Sequence, residues 1–296
     1  MRRTMNLPRL SLLPTFIREL TSAQTLPREP EPDAIMNDVD QVAAFSETGR
    51  KESTLAASYL FHTARASQTL QGCKRVLDLG CGPATQLIQI AALNPEIEFI
   101  GVDMSEEMLR HARTHVAEAG LGNVTFITGD ITKLDQFEAH SIDGVISTVS
   151  LHHLPTLALL EGCFREIRRI LKPDGAVYLA DFGRLKSLKS VIFFAYMNRD
   201  HDPHQLLLDY ERSLRAAFLL SDFERLAAEL PETVAVFSTF KVPLLITLKT
   251  PDRELPTTKL RILNDMRKAL APRFRHDLDD MRIFFKLGGL KNDPFH

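Results

Sequence analysis

The chain has 296 residues, 44% of them hydrophobic, and its 36 basic and 38 acidic side chains leave a net charge of −2. That much apolar material can build a proper core, and the length suits an α/β unit with extensions. The near-neutral balance argues against wholesale nucleic-acid binding, which needs a basic excess, and no apolar run approaches transmembrane length.

Arg2, Arg3, Arg9 and Arg18 precede the first acid, Glu19, which is the bias of a transit peptide. Pro8 and Pro14 interrupt both a continuous helix and a secretory apolar run, so a mobile or surface-docked arm is the favoured reading. Pro27, Pro30 and Pro32 among Glu29, Glu31 and Asp33 extend it, and residues 1–36 read as a flexible arm and linker. A helical cap follows over 37–70. Asp38 or Asp40 starts its first helix, Gly49 ends it, and Leu55–Leu70 makes a second.

Strand and helix then alternate. Strands are expected near 75–79, 98–102, 124–128, 142–147 and 175–181, and helices near 84–93, 105–119 and 157–171. The strand segments are nearly continuous apolar runs, as in a parallel sheet covered on both faces. Ser105 caps its helix, and Gly120 and Gly122 supply a stop and a turn. Residues 184–220 read as two inserted helices, the second with Asp202 as cap and Pro203 at its first position. Insertions on the carboxyl side of such strands lie over the ligand crevice. A helix over Phe223–Leu230 and strands over Thr233–Phe240 and Leu244–Thr250 come next. The tail, 252–296, carries two helical patterns stopped by Gly288 and Gly289. It reads as a packing layer or dimer contact rather than an RNA- or lipid-facing surface.

Val76 to Ala84 organises the whole. Val76, Leu77 and Leu79 are strand formers, Gly80 and Gly82 let a ligand approach the backbone, and Pro83 opens a helix. A glycine turn at a helix N-terminus is a general nucleotide-binding device. Asp78 precedes the turn, and Asp103 closes the second strand about 20 residues later. Cys81 sits inside the turn. It is one of three cysteines, with Cys73 and Cys163, an odd set without metal-ligand spacing that fits a reduced, cytoplasmic protein.

Five blocks then recur in a known order: Asp78-Leu79-Gly80-Cys81-Gly82, Asp103-Met104-Ser105, Gly129-Asp130, Asp143-Gly144-Val145 with Leu151-His152-His153-Leu154, and Leu171-Lys172-Pro173-Asp174-Gly175. Together they resemble the class I S-adenosylmethionine methyltransferases, especially the small-molecule enzymes of the ubiquinone/menaquinone type. Ala84 departs from the pattern, since many members carry a third glycine there. The resemblance implies an α/β, Rossmann-like seven-stranded mostly parallel sheet with helices on both faces, ending in an antiparallel hairpin. The methyltransferase domain would span 71–251, between an N-terminal helical cap and a C-terminal helical extension. In such proteins the cap often covers the cofactor and helps form the acceptor pocket; otherwise it only shields a sheet face.

The cofactor implied is S-adenosylmethionine, with S-adenosylhomocysteine as product. Asp103 would take both ribose hydroxyls, unless it is only a helix cap, a role open to Ser105. Met104 follows it in the same block. The backbone of Gly80, Cys81 and Gly82 would face the methionine and ribose portion, and Asp78 the ammonium. Asp130 would bond the adenine amine while Ile131 packs on the ring, unless Asp130 merely forms an Asx-turn. Ser147 and Thr148 would line the methionine end.

For catalysis, His152 and His153 follow the fourth strand close to the expected methyl group. One acts as a base or orients the acceptor, or both belong to a turn that bonds backbone. Asp181, Tyr196, His201 and His204 are further candidates. No acid–cysteine cluster completes a metal set with His201 and His204, and no metal is expected. The aromatic and aliphatic insertion favours a small, partly apolar acceptor. Ser147-Thr148-Val149-Ser150 stands where base methyltransferases carry Asn/Asp-Pro-Pro-Tyr/Phe, so DNA is not expected. The competing readings are a SAM-binding partner protein without methyl transfer, an RNA or protein methyltransferase, and a nicotinamide dehydrogenase, in which Leu-His-His-Leu has no role.

Overall fold

The structure is a computed structural model that describes residues 8–32 and 55–295. The first expected cap helix, with Asp38, Asp40 and Gly49, lies outside the described residues. Helix α1 (Leu13–Thr21) follows a short 3-10 turn at Leu10–Leu12. Residues 13–21 were expected to be part of an arm broken by Pro14. Pro14 instead occupies the first turn, where a missing N–H leaves no bond unmade.

The core is a seven-stranded sheet. Its strands are β1 (Arg75–Leu79), β2 (Glu98–Asp103), β3 (Val124–Thr128), β4 (Ile142–Thr148), β5 (Leu171–Phe182), β6 (Ala235–Ser238) and β7 (Leu245–Lys249). The spatial order is β3-β2-β1-β4-β5-β7-β6. The first five are parallel, and β7 alone runs against its neighbours β5 and β6. β5 starts earlier than expected, because register jumps from Ile142↔Leu171 to Gly144↔Ala176 and Lys172–Gly175 bulges out between them.

Alternation along each strand divides the core. Leu77, Leu79, Val102, Val145 and Leu179 face helices α5 (Leu157–Ile170) and α8 (Leu220–Ala227). Val76, Phe99, Ile146 and Tyr178 face α2 (Leu55–Leu70), α3 (Thr85–Leu93) and α4 (Glu106–Glu118). Ser105 caps α4 as expected, accepting from the Met108 N–H. The insertion forms α6 (Leu188–Tyr196) and α7 (His204–Ala216), and Pro203 precedes α7 instead of opening it.

The tail forms α9 (Thr257–Ala269) and α10 (Pro272–Leu287), which pack on α2. A third apolar cluster joins α1, α2, α6, α7 and the two tail helices above the carboxyl end of β5 and the amino end of β7. Packing from both sides buries every residue of α2 from Leu60 to Leu70.

Candidate active site

Strand order reverses between β1 and β4, and a cavity of ≈ 490 Å³ opens at their carboxyl ends. Its inner half is the glycine turn. The N–H groups of Gly80 and Cys81 donate to the Val102 carbonyl at 2.8 and 3.2 Å, which fastens the turn to β2. The Gly82 N–H donates to Asp103 Oδ2 at 2.8 Å, and Asp103 Oδ1 accepts from the Ser105 N–H at 2.9 Å. Asp103 is thereby pinned at the cavity wall, each oxygen keeping one lone pair. Burial raises its pKa despite the Ser105 and Gly82 N–H groups.

Asp78 is 3% exposed, lines the cavity and takes no hydrogen bond from the described residues. Burial first and the neighbouring Asp103 charge second push its pKa up to about 7. A buried carboxyl without a partner beside a cavity is poised for a cationic ligand group. Ala84 adopts a left-handed backbone with φ 63° just before α3, which is why a glycine suits that position. Thr85 Oγ1 and Gln86 Oε1 are buried without partners and belong to residues lining the same wall. Sequence reasoning did not single out either one.

The other expected contacts divide. Cys81, Met104, Ile131 and Thr148 line the cavity. Ser147 does not: its side chain points into the sheet, and Oγ donates to the Leu79 carbonyl at 2.8 Å. Asp130 is not in the lining either: its Oδ1 accepts from both the backbone and the hydroxyl of Thr132, an Asx-turn, while Oδ2 carries no bond among the described residues.

The 3-10 turn Leu151–His153 forms the rim. It follows Val149, a β-branched residue held at φ 54°, the kind of strain that collects at functional sites. Asp181 accepts from the His152 N–H at 2.8 Å and from the Phe182 N–H at 2.6 Å, and it pairs with His152 Nδ1 at 2.7 Å. His152 Nε2 is buried and unpartnered.

His153 stacks on His152 with ring centroids 4.1 Å apart, and its Nδ1 meets Glu31 Oε2 at 2.8 Å. Burial opposes charge on both members of this pair. Their mutual attraction prevails: the pKa of His153 is raised, and Glu31 is held at about 2 with help from His152 and Ser213. Among the described residues, Glu31, His152 and His153 form a set whose ligand atoms lie within 4.8 Å of one another.

Glu31 belongs to the stretch read as a linker. It is delivered by Arg28, whose guanidinium donates to the carbonyls of His152, Leu154, Pro155 and Ala216 and lies 3.9 Å over the Phe218 ring. The remaining catalytic candidates are elsewhere. The Tyr196 hydroxyl donates to Glu211 at 3.0 Å, outside the cavity lining, and His201 and His204 are exposed. The outer half of the cavity has an aromatic and aliphatic wall of Phe16, Phe182, Phe194, Tyr210, Val242 and Phe284, with the charged Arg9, Asp277 and Asp280 also in its lining. Tyr59 and His62 of α2 also reach it, so this helix both covers the sheet and lines the pocket. Burial lowers the His62 pKa to about 4.

Comparison with known proteins agrees with this geometry. The demethylmenaquinone methyltransferase of Geobacillus kaustophilus is 37% identical over 107 residues, 36% of this chain and 44% of that protein. The ubiquinone biosynthesis O-methyltransferase of Neisseria meningitidis is 31% identical over 111 residues, 38% of this chain and 45% of its own. The chain thus spans less than half the length of these curated relatives.

Among solved structures, a SAM-dependent methyltransferase from Aquifex aeolicus matches with a TM-score of 0.50 at 16% identity, over 73% of this chain and 98% of that one. The plantazolicin methyltransferase BpumL in complex with SAH matches with a TM-score of 0.52 at 17% identity, over 72% and 90%. These likenesses establish a shared fold. The family description "Methyltransferase domain" matches residues 70–239, more than half of the chain. With that match on the strand-and-turn framework around Asp78 and Asp103, this chain belongs to the methyltransferase-domain family.

Proposed function

We propose that the protein transfers a methyl group from S-adenosylmethionine to a small, partly apolar acceptor held in the outer half of the cavity. The observation that carries this reading is one continuous cavity. Its inner end holds Asp78, Gly82 and Asp103, and its outer end holds His152 and an aromatic wall. The inner end fits the cofactor on its own terms. Asp78 offers an unpartnered carboxyl for the ammonium, Thr85 Oγ1 is an orphan hydroxyl for the carboxylate, and the space beside Gly82 is open.

The cofactor would supply a methyl group on a sulfonium: the acceptor's electron pair would form the new bond to carbon, the carbon–sulfur pair would return to sulfur, and any proton on the acceptor atom would pass to solvent. Asp103 uses its free lone pairs to take the two ribose hydroxyls. Asp130 Oδ2 takes the adenine amine, and Ile131 covers the ring. Thr148 lines the methionine end. His152 and the aromatic wall orient the acceptor and exclude water, so that alignment provides most of the acceleration. The three unpaired cysteines suit a reducing, cytoplasmic setting.

Calorimetric titration with SAM and SAH, followed by labelled methyl transfer into metabolite extracts, tests the proposal. Binding together with a labelled product supports it. Binding with no product in any extract would instead make this a SAM-binding partner protein. Asp103→Ala should weaken SAM binding by about 1–3 kcal/mol through lost hydrogen bonds; unchanged affinity would refute the ribose role.

A further inference from the structure

The seat formed by Glu31, His152 and His153 has a chemistry of its own. Asp181 already accepts backbone N–H groups on both oxygens, so it is the acceptor toward His152 as well. Nδ1 therefore faces Asp181, and Nε2 is the ring nitrogen turned toward Glu31. That nitrogen is buried, has no hydrogen-bond partner and stands 3.9 Å from Glu31 Oε1. A ring nitrogen and a carboxylate oxygen across such a gap can both give electron pairs to one cation seated between them. His153 Nδ1, 2.8 Å from Glu31 Oε2, closes the third side.

We propose that Glu31, His152 and His153 bind one divalent transition-metal ion of the zinc type, with its open position facing the cavity. Two imidazoles and one carboxylate suit zinc far better than magnesium, which prefers oxygen donors and water. With bonds of about 2.0–2.1 Å, neighbouring donors of a tetrahedral site stand roughly 3.3 Å apart. The separations of 2.8 and 3.9 Å bracket that distance.

The outer contacts are also in place. Asp181 backs His152 as carboxylates commonly back metal-bound histidines. Ser213 Oγ donates to Glu31 Oε1 at 2.9 Å, and Arg28 fixes the segment that carries Glu31. Ion binding stands on these residues alone. Its role rests on the methyltransferase reading: the open position would hold the acceptor's oxygen, nitrogen or sulfur at the rim of the cofactor cavity.

The test uses full-length protein dialysed against a chelator, then titrated with zinc by calorimetry and with cobalt by visible absorption. Expected are one zinc per chain and a cobalt spectrum of tetrahedral type. Glu31→Gln and His153→Gln should each weaken zinc binding at least 100-fold, more than the 10–100-fold typical of outer contacts. His153 is partly exposed, so that variant should remain folded. SAH titration of every sample separates the two readings. SAH binding without stoichiometric zinc, or zinc binding as tight in the variants as in the parent, overturns the metal site and leaves the methyltransferase reading standing. Zinc binding lost in variants that still bind SAH establishes the site.

Discussion

Gly80 and Gly82 both adopt left-handed backbone, at φ 68° and 51°, yet their surroundings differ. A Cβ on Gly80 would stand 1.8 Å from Ser150 Oγ, whereas one on Gly82 meets nothing within 4 Å. Gly80→Ala should therefore cost more than the roughly 1–2 kcal/mol of left-handed strain, since the turn must also move away from Ser150. Gly82→Ala should cost about that strain alone and lose ligand affinity instead. Urea unfolding beside SAH titration separates the two effects, and equal unfolding free energies would contradict the contrast.

Asp78 gives a pH signature. Its folded pKa of about 7 means that the empty site is largely protonated below neutrality, while an ammonium ligand requires the carboxylate. SAM affinity should fall toward tenfold per unit as the pH drops below 7. Asp78→Asn should bind weakly at pH 8 and show no such slope. A slope that survives in Asp78→Asn would assign the titration to another group.

At the scale of elements, the segment from Arg28 to Glu31 matters more than its lack of regular structure implies. Arg28 satisfies four carbonyls from two separate stretches of chain at the rim. Arg28→Ala should destabilise the protein by about 1.5–3 kcal/mol, the range for a charged hydrogen-bonding group, and Arg28→Lys should not restore it. A lysine ammonium lacks the planar fork that spans several acceptors. Chemical denaturation of both variants decides this.

Much of the architecture was legible because it is local. Val76–Leu79 and Phe99–Val102 are apolar runs ending in acids, and Leu55–Leu70 has a helix's length and spacing. Asp78 and Asp103 could be read because the glycine turn fixes where two strands end. Glu31 could not, since it lies 122 residues from His153 and no spacing rule spans such a gap. Ser147 was misplaced by a question of face: one residue decides whether a strand side chain meets the cavity or the sheet interior. Tyr196 was misplaced by helix phase, with Tyr210 of α7 taking the cavity position instead.

In the molecule as a whole, the C-terminal helices belong to the core. Phe61 of α2 stacks on Phe285 of α10 with centroids 5.1 Å apart. Buried Arg65 donates to the carbonyls of Lys291 and Asn292. Truncation after Thr250 would expose several such side chains at about 1.5–3 kcal/mol each, against a total stability of about 5–15 kcal/mol. The shortened chain should lose its cooperative thermal transition and aggregate, which scanning calorimetry and size-exclusion chromatography would show; a sharp transition near that of the parent would count against this role.

The segment carrying Arg28 and Glu31 is tied down by the side chains of Arg28, Glu29 and Glu31, so seating it and filling the cavity would be linked equilibria. By reciprocity, whatever factor a ligand adds to the seated population, seating returns to the ligand's affinity. A substitution near Arg28 that touches no ligand would thus change binding strength through the fraction of molecules whose rim is assembled.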